Sequence, residues 1–471
     1  MTSLALSGCA IEPERLDSVE LASFIKDKRS RVMSDQEPLR GPLTERDAIV
    51  RALRYNLDKE IELMQHAVAE RQLHLAHYSM LPGIVADSGY ANRDNYSGGI
   101  SVQILGPKTL GPQSLTSSTS SERDVRSADI RFSWNILDFG LSYVRAKQAA
   151  DKVLIAEEAK MRVVNRIAEN VRTAYWRAVA ATRLLERLGR LDRRVRNALS
   201  NTEGLLAKGE SSPLTTLTYE RELVEIQRDA RRLQAELSTA KAQLAALINI
   251  DPGQDYRIAI PPYLRMPGLP RMAPAEMVSF ALHNRSEMRE AVYQKRINIR
   301  EAEAAILEML PGIGLDAGPH WNSNTFLFNS NWIAWGAQAS WNVIKVFSYP
   351  ARRDGIEAEA ALLDARARAV TMAIMTQVHV ARARIYFARR SYESASHYLD
   401  VQGRIMQQIR SSLSAGKVSE QTAIREEMNT VVATVKRDIA YAELQSAVAG
   451  LNAAMGRVPD DIAWRTEVAQ K

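Results

Sequence analysis

The sequence predicts a mainly α-helical protein with a small β contribution, built as two copies of one helix–strand–strand–long helix–shorter helix unit. Three observations carry that prediction. Met-Leu-Pro-Gly-Ile stands at Met80–Ile84 and again at Met309–Ile313, 229 positions apart, and Asp87 and Gly89 recur at the same spacing as Asp316 and Gly318. At each proline the apolar spacing changes from helical to alternating. From Leu141 to about Leu206 no proline interrupts a run dominated by Ala, Leu, Arg and Glu, the composition of long helices.

The repeat sets the domain organisation. Residues 1–43 are an extended N-terminal segment, 44–252 the first repeat, 253–273 a linker, 274–460 the second repeat and 461–471 a tail. Each repeat is expected to open on one helix, roughly Glu45–Met80 and Pro274–Met309, in which Ala52-Leu53 aligns with Ala281-Leu282. Thr44-x-x-Asp47 has the pattern of a capping box, and Pro274 fits a first helical turn. Pro82 and Pro311 stop both helices, because proline lacks the N–H and its ring clashes with the preceding turn.

Alternating strands follow. Ile313, Leu315, Ala317 and Trp321 fall on one side of the chain, with Asp316, Gly318 and His320 on the other. In the second strand of the first copy, Ile130, Phe132, Trp134 and Ile136 oppose Asp129, Arg131, Ser133 and Asn135. Its counterpart sets Trp335, Ala337, Ala339, Trp341 and Val343 against Gly336, Gln338, Ser340 and Asn342. Ser-Trp-Asn itself recurs at Ser133–Asn135 and Ser340–Asn342, a spacing of 207 in place of 229. The first copy therefore holds 22 extra residues between its strands, a Gly/Ser/Thr/Pro-rich insert expected to be a long exposed loop. Beyond it the spacing stays at 207, from Gly209 and Gly416 to Pro252 and Pro459.

The long helix carries a heptad seam of small and apolar residues: Val164, Ile167, Val171, Ala174, Ala178, Ala181, Leu185 and Leu188. About 65 residues at 1.5 Å each span about 100 Å. The chain turns near Gly209 and returns as a shorter helix to Ile250, and the second copy repeats this from about Ala351 through Gly416 to Met455.

Composition narrows the function. No window holds 18 consecutive apolar residues, so a membrane can be crossed only with strands. The net charge of +7 arises from Arg scattered among Asp and Glu, unlike the clustered footprint of a nucleic-acid binder. Arg183, Arg187, Arg190, Arg193, Arg194 and Arg196, with Arg221, Arg228, Arg231 and Arg232 beside them after the turn, form a basic band. It is either a solvated face balanced by Glu220, Glu222 and Glu225 or a contact for an acidic partner. No phosphate loop, nucleophile elbow or zinc motif occurs, and His74 and His77 share a helix face without further ligands. The residues point to neither catalysis nor a cofactor. The single cysteine, Cys9, rules out an internal disulfide. Leu6-Ser7-Gly8-Cys9 resembles the lipobox of bacterial lipoproteins, whose cysteine accepts a diacylglyceryl group. Only eight residues precede it, so if the motif is a processing site an earlier start with a basic and apolar leader is expected, and a chance free cysteine is the other reading.

Two strands per copy are marginal in water, and four cannot close a membrane barrel, whose minimum is eight. An ordinary hairpin packed on a core is one reading. The more economical one is a barrel to which several chains contribute four strands each, with Ile130, Phe132, Trp134, Ile136, Trp335 and Trp341 toward lipid.

The duplicated order of elements, the Leu-Pro after each first helix, Ser133–Gly140 and the glycine turns resemble the TolC-like outer-membrane efflux proteins over residues 44 to 460. The Cys9 motif is similar to that of the lipoprotein branch. The resemblance implies a homotrimeric α-barrel tunnel in the periplasm, capped by a 12-stranded β-barrel in the outer membrane of a didermic bacterium. It implies a passive exit duct for efflux or type I secretion, working with a periplasmic adaptor (membrane fusion protein) and an inner-membrane transporter. Departures exist. Asp138-Phe139-Gly140 is replaced by Lys345-Val346-Phe347 in the second copy. Where some members carry gate aspartates, this chain has Thr215 and Thr218, then Thr422 and Arg425. The resemblance makes the second hairpin the inner one, with Lys417, Glu420, Arg425, Glu426 and Glu427 as the candidate aperture. The competing reading is a periplasmic coiled-coil adaptor or structural protein without a pore.

Overall fold

Two helices, not one, open each copy in the computed structural model, which describes residues 15–32, 34, 36–207, 212–251, 253–261 and 264–457. Cys9, Gly209, Pro252, Pro459 and the 461–471 tail lie outside the described residues. After α1 (Ser18–Val32), the first copy runs α2 (Glu45–Tyr55), α3 (Leu57–Tyr78), β1 (Gly83–Asn92), β2 (Gly99–Gly106), β3 (Thr109–Ser118), β4 (Asp124–Asn135), α4 (Ile136–Ala207) and α5 (Pro213–Leu247). The second runs α6 (Pro274–Asn284), α7 (Ser286–Leu307), β5 (Gly312–Asn322), β6 (Asn331–Ser340), α8 (Ile344–Ser414) and α9 (Glu420–Ala454). The bounds of α6 and α7 repeat those of α2 and α3 at the 229 offset, and α9 repeats α5 at 207.

Residues group into two compact units that cut across the repeats. The first comprises 1–62, 160–286 and 372–471, and the second 63–159 and 287–371.

In the first unit, the break between the opening helices falls at Asn56 and Arg285, both in extended backbone. Each break residue closes the shorter helix of its own copy. The Asn56 amide donates to the Leu247 carbonyl at 3.1 Å, and Arg285 Nη1 donates to the carbonyls of Ala453 and Ala454 at 3.3 Å. The last carbonyls of a helix have no partner within it, so the two breaks supply one. Just beyond, Asn249 and Gly456 occupy the left-handed region at φ 50° and 66°, the conformation that ends many helices.

The core of this unit follows the α4 seam, with Val164, Ile167, Val171, Ala178, Ala181, Leu184, Leu188, Leu191 and Val195 buried against α2, α5 and α9. Leu184, not Leu185, takes the central position, and Leu185 is half-buried beside it. The buried positions thus step by three twice in succession, from Ala178 to Ala181 and from Ala181 to Leu184, before the alternation resumes at Leu188. Three tyrosines tie the linker down. Tyr175 Oη donates to Ala259 O at 2.8 Å, Tyr256 Oη to Lys241 O at 2.6 Å, and Tyr441 Oη to Arg265 O at 2.7 Å. Burial pushes the Tyr175 and Tyr256 hydroxyls up to about 12, so both stay donors across the biological range.

In the second unit, β1, β4, β5 and β6 form one antiparallel sheet in that order, the copies meeting at β4–β5 and leaving β1 and β6 as edges. Beneath it Leu141, Val144 and Ala304 make a small core, and buried Asp151 takes Arg296 and Arg300. Half-buried Glu308, next to the repeated Met-Leu-Pro, accepts Arg352 Nη1 at 2.5 Å and lies 3.6 Å and 3.7 Å from Arg145 and Lys345. The insert expected to be a loop is a second hairpin, β2–β3, turned at Pro107-Lys108. Ile136 opens α4 instead of extending β4, because the Asn135 side chain caps that helix by accepting Leu137 N–H at 3.0 Å. Trp341 lies just past β6, where its Nε1 donates to Met309 O at 2.9 Å.

The β4–β5 ladder pairs Ser127 to Asp129 with Asn322 to His320, then resumes at Phe132↔Ala317. In the gap lie Pro319, which cannot donate, and Gly318, where a Cβ would sit 1.8 Å from the Ile130 carbonyl oxygen. Gly318→Ala should therefore force the two copies' strands apart and sharply lower the yield of protein with protease-protected strands. Gly314→Ala, whose Cβ would meet nothing closer than 3.7 Å, should fold as wild type. Equal protection of both variants would refute this account.

Candidate functional site

The sheet presents two unlike faces. Register places Ile84, Phe132, Ala317 and Trp335 in one row and Trp134, Leu315 and Ala337 in the next, with Ile130 beside Ala86. Nothing in the chain covers this apolar face among the described residues: Trp335 is 84% exposed, Ile333 78% and Ile84 70%. The other face carries Asp87, Asp129, Arg131, Ser133, Asp316, His320, Gln338 and Ser340. Burying one face of a sheet is what stabilises it in water, and this one buries neither. Ile130, Phe132, Trp134 and Trp335 sit together on the apolar face, whereas Ile136 and Trp341 are exposed outside the strands.

The α8–α9 turn lies in the other unit. Gly416 adopts φ 67°, Lys417 N–H donates to Ser412 O at 2.9 Å, and the Ser419 side chain caps α9 by accepting Thr422 N–H. Of the aperture candidates, Lys417 and Arg425 are exposed. Glu426 accepts the Gln402 amide at 2.8 Å, and Glu427 is bonded by Arg194 of α4. Glu420 lies 3.9 Å from the same guanidinium. Arg194 thus links the first hairpin to the second. No sequence signal pairs residues 233 positions apart, so this contact was not legible in advance.

Much of the basic band is paired within the chain. Arg190 bonds Glu186 at 2.6 Å, and Asp192 sits 3.0 Å from Arg196 and 3.8 Å from Arg231. Glu220, Glu222 and Glu225 are not the acids in those three pairs. Higher on α8 and α9, a groove of about 900 Å³ is faced by Glu169, Arg177, Arg285, Arg384 and the exposed Val380 and Phe387. Burial pushes the Glu169 carboxyl up, while Arg384 and Arg285 pull it down less strongly. Among the described residues, no three His, Cys, Asp or Glu side chains gather to hold a metal, and no helix is long and apolar enough to cross a membrane.

No family model and no curated protein matches the chain. Solved structures do. The chain is similar to the CmeC outer membrane channel of Campylobacter jejuni, at 13% identity and a TM-score of 0.67, over 99% of this chain and 98% of that one. It is similar to the open state of the MtrE outer membrane channel of Neisseria gonorrhoeae, at 15% identity and 0.66, over 88% and 89%. It also matches CusC, a transmembrane channel, at 17% identity and 0.67, over 90% and 96%. The fold is that of these outer-membrane channels.

The Arg194–Glu427 link yields a direct test. Both groups are about a third exposed, so their coupling should be on the order of 1 kcal/mol or less. A double-mutant cycle of Arg194→Ala and Glu427→Ala, read by the thermal loss of helical signal, should show that non-additivity. Strictly additive losses would mean that the pair does not bind the hairpins together.

Proposed function

We propose that the chain is one protomer of a homotrimeric exit duct, which passively conducts cargo from an inner-membrane transporter and its periplasmic adaptor across the outer membrane of a didermic bacterium. The observation that carries this is the unfinished sheet. Three copies joined β1 to β6 make a closed 12-stranded barrel, which satisfies both free edges and turns the uncovered face, with Ile130, Phe132, Trp134 and Trp335, to lipid. The polar face then lines water. The long helices form the periplasmic tunnel, and the apolar side of α8 at Val380 and Phe387 packs on a neighbour. The adaptor reading has no use for such a sheet, and the solved structures similar to this chain are channels.

Control is assigned to the hairpin tips. Opening the second hairpin away from the first requires breaking the Arg194 pairs to Glu427 and Glu420. Lys417 and Arg425, exposed at the same end, are the charges left for a neighbouring copy or the adaptor. Cys9 is assigned as an acylated anchor, which adds membrane affinity without being needed for the fold.

The assembly is tested by Phe132→Asp. A charge on a lipid face costs about 2–4 kcal/mol per copy at mid-membrane, so the variant should lose the trimer band and the heat-modifiable migration of an outer-membrane barrel. A wild type that runs as a detergent-solubilised monomer with protected strands would sink the reading. For the anchor, labelled palmitate should enter a full-length precursor but not its Cys9→Ser form, and both should still insert. Equal labelling of the two would overturn the acylation.

A further inference from the structure

The four strands bring one charged row to a single level. Register pairs Asp87 with Asp129, Asp129 with His320, and His320 with Trp332, so all four strands contribute one side chain to the row on the polar face. The row is built, not incidental. His320 Nδ1 lies 2.7 Å from Asp129 Oδ1, and the imidazole stacks on the Trp332 ring at 5.5 Å with planes 14° apart. One row away, Arg131 Nη2 lies 3.6 Å from Asp87 Oδ2. Asp316 is the other charged side chain of this face, opposite Ser133 and Gly336. The polar face therefore sets three carboxylates, Asp87, Asp129 and Asp316, against one guanidinium, Arg131. Glycines at 314, 318 and 336 leave the same face thinly covered, so the carboxylates are not hidden under bulky neighbours.

We propose that the Asp87–Asp129–His320–Trp332 row is an ion-selectivity ring of the barrel, which makes the duct prefer cations and positively charged cargo over anions. The proposal rests on the duct reading: three-fold assembly repeats the row around the lumen, and rings of like charge set ion preference in pores. A surplus of carboxylates against low-dielectric walls raises the local concentration of cations and repels anions. His320 and Trp332 are positioning residues. They hold the Asp129 carboxylate at the lumen wall, and Arg131 partly neutralises Asp87.

Purified wild-type trimer in planar bilayers under a KCl gradient should give a reversal potential of the sign for several-fold K⁺ preference. Asp87→Asn combined with Asp129→Asn should move that potential toward zero while conductance and heat-modifiable migration persist. Arg131→Gln should move it the other way, and it carries the test alone if the double variant does not assemble. An unselective or anion-selective wild type would overturn the ring, as would variants that keep the wild-type potential. A folded trimer that conducts nothing would instead overturn the duct reading on which the ring rests.

Discussion

The outward N–H and C=O groups of β1 and β6 have no strand partner among the described residues, and the sheet between them shows a tryptophan-studded face to its surroundings. Each defect is costly in water, and each has its own remedy. Free edges need another strand, and an uncovered apolar face needs a core or a lipid. Within one chain the two remedies conflict, because a strand added at one edge leaves the other open. In the proposed assembly cyclic repetition would meet both demands, since the β6 edge of one copy would complete the β1 edge of the next. The antiparallel order β1-β4-β5-β6 would make that junction antiparallel as well, like the three within the chain. The duplication matters here because the strand pairs join at β4–β5, the seam where Gly318 and Pro319 interrupt the ladder.

The helical half solves a different problem with the same duplication. A shorter helix of 35 residues ends in each copy with most of its last carbonyls taken by the backbone just beyond, but with the final one, of Leu247 or Ala454, given no backbone donor among the described residues. The break between the two opening helices stands beside that end and supplies the donor. Asn56 does so with a short amide, and Arg285 does so with a guanidinium that also complements the negative end of the helix dipole. The break is thus no defect in a long helix but a cap for another one. The side chains differ while the positions correspond, so the position, not the residue type, is what both copies share.

Features set by spacing were legible in the sequence, and features set by meeting at a distance were not. The Met-Leu-Pro-Gly-Ile repeat and the constant 207 offset located the strands, the long helices and the α8–α9 turn. The opening helices were expected to be continuous because neither Asn56 nor Arg285 is a strong breaker, and the reason for the break lies 191 residues away in the first copy and 168 in the second. Within the insert, Ile100, Val102 and Ile104 alternate ahead of Gly106-Pro107, a hairpin signal masked by the Gly, Ser and Thr around it. Alternation also ran past the true end of β4, since Ile136 keeps the period although Asn135 has already capped α4. At the tips, the charges were visible as a cluster. That Glu426 and Glu427 answer to Gln402 and Arg194, and not to Arg425 beside them, required the fold.

Spacing also explains how a chain only 13–17% identical to solved channels keeps their fold over nearly its whole length. One residue inserted in a helix turns everything beyond it by about 100°. In α4 that would swing Arg194 away from α9 and lift the Leu184–Leu188 seam out of the core. Insertions are therefore confined to places where no register follows. The 22 extra residues of the first copy lie between β1 and β4, beyond the last paired row at Asn92↔Asp124. They close on themselves as β2–β3 and are tied down at the base, where Asn324 donates to Ser120 O at 2.9 Å and accepts Glu122 N–H at 3.2 Å. Sequence can drift almost freely in such an architecture, provided that the lengths between its fixed contacts do not.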